Sequence, residues 1–189
     1  LDDLKAYYNL DETSGDCINS ASAIGSTDAI SSFDLTVTGA TQGVTGKIDN
    51  AISFAGDNIA QADDSNLTDT NFISQAGAEW TICFWVKFAS IAGDQVVIST
   101  FDDNTADAGF WIRVISTGGI NVVCGSSADS GRFSATSSTA RVAGTDWNFV
   151  MVQGSDVTGY ASVQVNSTFE SILDNVDITN TTTPTEKLI

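Results

Sequence analysis

The chain has 189 residues, 42% of them hydrophobic, with one proline and 16 glycines; this suits one folded domain and excludes collagen-like or proline-rich disorder. Acidic residues outnumber basic ones 24 to 7 for a net charge of −17, which opposes nucleic acid and anionic lipid, since binding phosphate relies on Lys and Arg. No run approaches the roughly 18 apolar residues of a membrane-spanning helix. There is no histidine, and Cys17, Cys83 and Cys124 form no CxxC pair, so zinc is not expected.

Taken in order, the predicted elements are short and alternate apolar with polar residues. KAYYNL (5–10), FDLTVTG (33–39), AISFAG (51–56), WTICFWVKF (80–88) and QVVISTF (95–101) read as strands. GFWIRVIS (109–116), INVVCG (120–125), RFSATS (132–137), NFVMVQG (148–154) and ASVQVN (161–166) read the same way. Period-two patterning with β-branched and aromatic residues, and turn residues between runs, is the warrant. STGG (116–119) is the strongest hairpin signal. The stretch 63–74 has room for one short helical turn, and NTTTP (180–184) reads as a loop. About ten such strands imply an all-β, antiparallel two-sheet sandwich of jelly-roll type. Alternation places Trp80, Ile82, Phe84, Val86, Val150, Val152, Val163 and Val165 between the sheets. One bridge at most is possible, with Cys83 and Cys124 the best-placed pair and free thiols the commoner outcome.

Four segments carry a resemblance. LKAYYNLDETSGD resembles the opening of laminin-G-like, concanavalin A-like lectin-glucanase jelly rolls, and GKIDNAISFAGDNIAQADDSNL resembles their GK-G-A-L-F-G-D-Y stretch. EWTICFWVKF is similar to FTISFWVK, and AGTDWNFVMVQGSDVTGYASVQVNSTFES to the WHHVAVTYDG…LYVDG hairpin. The order holds from Leu4 to about Ser171, which implies one laminin-G-like jelly roll over 1–189. Two departures stand out. Asn148 and Phe149 replace the family's paired histidines, and its closing G-IDEVRIYN-type strand is missing after TEKLI. The expectation is a module lacking its final strand, completed by further chain or by a neighbouring subunit adding a strand. The alternative is that STFES or EKLI turns back and closes the sheet itself.

Catalysis is not expected. Glycoside hydrolases of this fold need two carboxylates about 5 to 10 Å apart. The glutamates here are Glu12, Glu79, Glu170 and Glu186, and none begins the E-x-D-x-(x)-E strand motif of the β-glucan hydrolases. The resemblance implies a structural calcium held by hard oxygen ligands. Candidates are Asp11 and Asp16 in LDETSGD, Asp57 in FAGDN, and Asp102, Asn104 and Asp107 in DDNTAD; the other reading is solvated turn acids that make Asx hydrogen bonds.

The binding candidates come from the second faces of two strands. With Phe84 and Ile112 inward, Trp85, Trp111 and Arg113 face away from the core and could line a shallow groove for a sugar ring. A covering loop or partner chain is the alternative. Two functions follow. One is a non-catalytic extracellular recognition or attachment module that binds glycan or protein. The other is a structural surface protein, such as a phage or viral decoration or fibre domain or a cell-surface layer component, packed among neighbouring subunits. The location expected is extracellular, at a cell or virion surface.

Overall fold

The structure, a computed structural model, describes residues 3–27, 29, 33–62, 79–100, 109–125, 133–155 and 160–172. They hold twelve β-strands and no helix. The chain divides into two compact units, one built on Leu1–Asp69 and the other on Thr70–Glu186.

The first unit contains β1 (Thr36–Thr38), β2 (Thr41–Thr45), β3 (Asn50–Ser53) and β4 (Ile59–Gln61). β1 pairs with β4 and β2 with β3, both antiparallel. KAYYNL is not a strand; it runs irregularly and is fastened by side chains and by the Ser20 amide on the Tyr7 carbonyl instead of a ladder. Asn19 Oδ1 accepts from the Tyr7 and Ala21 amides, Asn19 Nδ2 reaches Lys5 O, and the Tyr8 hydroxyl donates to Phe33 O. Burial raises the Tyr8 pKa above the ordinary phenol value, with Asp34 and Cys17 adding to the effect. Phe33 and Ala62 form a small core that Ala6, Tyr8 and Leu35 flank. Cys17 and Leu35 exchange both backbone hydrogen bonds.

The second unit is built from two four-stranded antiparallel sheets. One has the order β12 (Thr168–Ser171), β11 (Tyr160–Val165), β10 (Asn148–Ser155), β5 (Glu79–Val86). The other has the order β6 (Gln95–Ser99), β7 (Gly109–Val114), β8 (Gly119–Gly125), β9 (Phe133–Arg141). STGG forms the β7–β8 turn, with Gly118 at φ +82°, a backbone state that favours glycine. Phe110, Ile112, Val114, Ile120 and Val122 of one sheet and Val150, Val152, Val163 and Val165 of the other are buried. They are the apolar members of the alternating runs, so the pattern in the sequence is the cause of the core. Trp80 is buried too, its ring lying over Gly154 in the neighbouring strand.

Ile82, Phe84 and Val86 are only half-buried. They share the inward face with Val152, Val150 and Asn148 as expected. β5 is an end strand among the described residues, however, and a lateral neighbour does not cover it. The STFES segment does turn back, as β12 on β11; EKLI and the 63–74 stretch lie outside the described residues. A Cys83–Cys124 bridge is ruled out because Cys83 is a free, exposed thiol on β5, in the sheet opposite β8.

Two polar devices hold this unit in register. Asn148, fully buried where the resembled family has histidine, satisfies the 143–147 turn. Its Oδ1 accepts from Ala143 N and Asn166 Nδ2, and its Nδ2 donates to Ala143 O and Asp146 O. Glu170 on β12 reaches the opposite sheet. There it accepts from the amides of Ser138, Thr139 and Ala140 and the hydroxyls of Ser138 and Thr139 at 2.7–3.0 Å. Partial burial alone would raise its pKa. The bonds from Ala140, Ser138 and Thr139 more than reverse that and hold it well below the ordinary carboxylate range.

Candidate functional site

β7 carries Trp111 and Arg113 on the face opposite Phe110, Ile112 and Val114. Register places Trp111 across from Val123 of β8, and Arg113 across from Asn121, which in turn faces Thr136 of β9. Asn121 is 4% exposed, so its amide must be satisfied internally. Its Oδ1 accepts from Arg113 Nε at 2.8 Å and Trp111 Nε1 at 3.3 Å, and its Nδ2 donates to Ala135 O and Thr136 Oγ1. All four of its hydrogen-bonding places are used.

Above this buried amide, the Arg113 guanidinium lies 4.8 Å from the Trp111 ring centroid, within cation–π range. Its Nη1 stands 3.3 Å from Asp94 Oδ2, and Asp94 Oδ1 accepts from the Ser116 amide at 3.2 Å. Arg113 and Asp94 keep side-chain exposures of 31% and 49%. An aromatic ring and a guanidinium are thus held on one sheet face by a buried amide, and the Asp94 carboxylate is joined to them through Arg113. This set can stack on an apolar ring face and exchange directed hydrogen bonds with hydroxyls.

Trp85 does not join this cluster. It lies on β5, in the other sheet. There it is 42% exposed and makes a tilted contact with Phe149, 5.4 Å between ring centroids. Phe149 is its cross-strand partner, and the adjoining row of that face runs from Cys83 of its own strand through Met151 and Gln164 to Phe169. The three-residue groove expected from sequence is therefore two separate faces. One is polar, around Trp111 and Arg113; the other is apolar, around Trp85.

Of the expected metal ligands, Asp16 and Asp57 are exposed and Asp11 is partly so. The Asp11 carbonyl accepts from Asn50 Nδ2. Glu12, between them, accepts from the Ile18 amide through Oε1, while its Oε2 is buried without a partner. That oxygen suits a hard cation chemically, yet no group of three His, Cys, Asp or Glu side chains gathers among the described residues. The described turn thus does not form a carboxylate cage. Asp102, Asn104 and Asp107 lie outside the described residues. No helix of the described residues is long and apolar enough to cross a membrane.

Sequence reasoning missed Asn121 and Asp94. Asn121 is the only polar side chain within INVVCG, which was the available signal. Asp94 sits in a turn-like AGD stretch, and its partnership depends on how β6 approaches β7.

No family profile and no curated protein matches the chain, but solved structures do. An S-layer domain-containing protein from Clostridium thermocellum (residues 221–444) is similar at 21% identity and TM-score 0.51, over 93% of this chain and 74% of that one. The binding domain of botulinum neurotoxin DC, solved in complex with SialylT, is similar at 14% identity and TM-score 0.54, over 84% of this chain and 39% of that one. The CBM40 domain of the Ruminococcus gnavus IT-sialidase, bound to α2,3-sialyllactose, matches at 17% identity and TM-score 0.47. The matched region covers 60% of this chain and 64% of that domain. Likeness at these identities defines the fold class, an antiparallel β-sandwich of the jelly-roll, lectin-like kind.

Proposed function

We propose that this chain is a non-catalytic recognition module that binds a glycan around Trp111 and Arg113 of β7, at an extracellular, cell or virion surface. The observation that carries the reading is the cluster of Trp111, Arg113 and Asp94, organised by the buried Asn121. A buried amide whose oxygen fixes two half-buried side chains while its nitrogen is tied to the next strand is the arrangement a preorganised binding site needs. The similarity in fold to a toxin binding domain solved with SialylT supports it. That the chain forms one laminin-G-like module, and that calcium stabilises its acidic turns, are parts of the same proposal. Calcium is tested by melting in chelator and then in millimolar calcium; an unchanged Tm removes it.

A second reading, a structural component of a surface layer, draws on the apolar outward face of Trp85, Phe149, Met151 and Phe169. It also draws on the similarity in fold to the S-layer protein. A printed glycan panel followed by titration separates the readings. The glycan reading expects a saccharide bound by wild type and weakened about 30-fold in Trp111→Ala, the scale of one aromatic hot spot, with melting near wild type. It fails if no saccharide binds, or if the variant binds as well as wild type.

A further inference from the structure

Resting on that reading, we infer that the face selects neutral sugars presenting a vicinal diol and rejects sialylated, uronate and sulfated glycans. Arg113 is the cation of the cluster, and it is already balanced. Its Nη1 faces Asp94 Oδ2 at 3.3 Å, its Nε donates to Asn121 Oδ1 at 2.8 Å, and its Cζ lies 4.8 Å from the Trp111 centroid. Grip on a carboxylate or sulfate favours a guanidinium fork whose paired N–H groups are open. Here Nε is committed to Asn121, and Nη1 faces the Asp94 carboxylate, whose charge already answers that of the guanidinium.

What the cluster offers instead is a donor beside an acceptor. A guanidinium carries five N–H donors, more than these two contacts consume. Asp94 has two oxygens, each with two lone pairs, and its contacts are the Ser116 amide and Arg113. Each hydroxyl of a vicinal diol can accept from the guanidinium through its oxygen and donate its hydrogen to the carboxylate. An ionised sugar group has no hydrogen to give. It would also set a second negative charge beside Asp94, on a chain of net charge −17, where the long-range field already disfavours anions. The fold relatives solved with sialylated ligands therefore do not predict this chain's ligand class.

The test uses the full chain on a panel of neutral gluco-, galacto-, manno- and xylo-oligosaccharides printed beside sialylated, uronate and sulfated counterparts. Wild type is expected to bind a neutral member, with its acidic counterpart weaker by about tenfold or more, the scale of one charged hydrogen bond. Asp94→Asn is expected to weaken the neutral sugar by about the same factor and to narrow the gap to the acidic one. Added salt should narrow the wild-type gap by screening the repulsion. An acidic glycan bound as tightly as its neutral match, with binding lost in Trp111→Ala, overturns the selectivity and leaves the glycan face standing. A gap unchanged in a folded Asp94→Asn also overturns it. Absence of any saccharide binding, or binding indifferent to Trp111→Ala, overturns the reading beneath it.

Discussion

Replacing Glu170 with Gln tests how the two sheets of the second unit are held together. The carboxylate accepts from five donors: the amides of Ser138, Thr139 and Ala140 and the hydroxyls of Ser138 and Thr139. Oε2 alone takes the amides of Thr139, Ala140 and Ser138 and the Thr139 hydroxyl. Glutamine keeps one acceptor oxygen and turns an NH2 toward the other donors, so two of the six contacts are lost if its oxygen takes the Oε2 place and four if it takes the Oε1 place. Bonds to a charged acceptor are each worth about 1.5–3 kcal/mol when buried. Glu170 is part-exposed, so solvent screening brings the expected total down to about 1–2 kcal/mol. For a chain this long that is a fall in Tm of about 2–8 °C.

The pH dependence follows from the depressed folded-state pKa. A carboxylate held below its unfolded value of about 4.3 contributes fully above that pH and loses the contribution as pH falls toward the folded value. The gap in Tm between wild type and Glu170→Gln should therefore be constant from pH 7 to about 5 and shrink below about 4. Differential scanning calorimetry at pH 7, 5 and 3.5 measures it. Equal Tm values at pH 7, or a gap as large at pH 3.5 as at pH 7, would refute the reasoning.

Two further predictions concern packing and thiols. A Cβ on Gly154 would stand 2.4–2.8 Å from three atoms of the Trp80 ring, so Gly154→Ala should cost about 1–3 kcal/mol by overpacking; denaturant melts showing no loss would contradict the packing. In the native protein a thiol reagent should modify exposed Cys83 and spare buried Cys17, whose pKa burial, with Glu12 and Asp16, raises to about 11. Peptide mapping that finds Cys17 labelled as fast as Cys83 would defeat this.

The strands that were legible in the sequence are those whose side chains face a core on one side only. β5, β7, β10 and β11 alternate cleanly because one face of each meets the other sheet. β2 escaped notice, and β12 was legible only as an alternative closing segment, for the opposite reason. β2 is TQGVT, interrupted by a bulge near Gly43, and β12 is TFES, whose Phe169 points outward at 55% exposure. KAYYNL has strand-like residues, but its backbone is held by the Asn19 side chain and the single Ser20 amide, which no period reports.

The candidate site was legible in part. Alternation set Trp111 and Arg113 on one face, because that depends only on neighbours in sequence. It could not separate them from Trp85, since sheet membership is a long-range property, nor find Asn121, whose role rests on the β7–β8 register.

Glycan binding at the Trp111 face can be followed residue by residue. Titrating isotope-labelled protein with the saccharide the panel selects, and following backbone amide shifts, tests it most directly. Saturable shifts are expected at Trp111, Arg113, Asn121, Thr136 and Asp94, with Trp85 and Phe149 on the other sheet unmoved. Shifts centred on Trp85, Phe149 and Phe169 instead would contradict it.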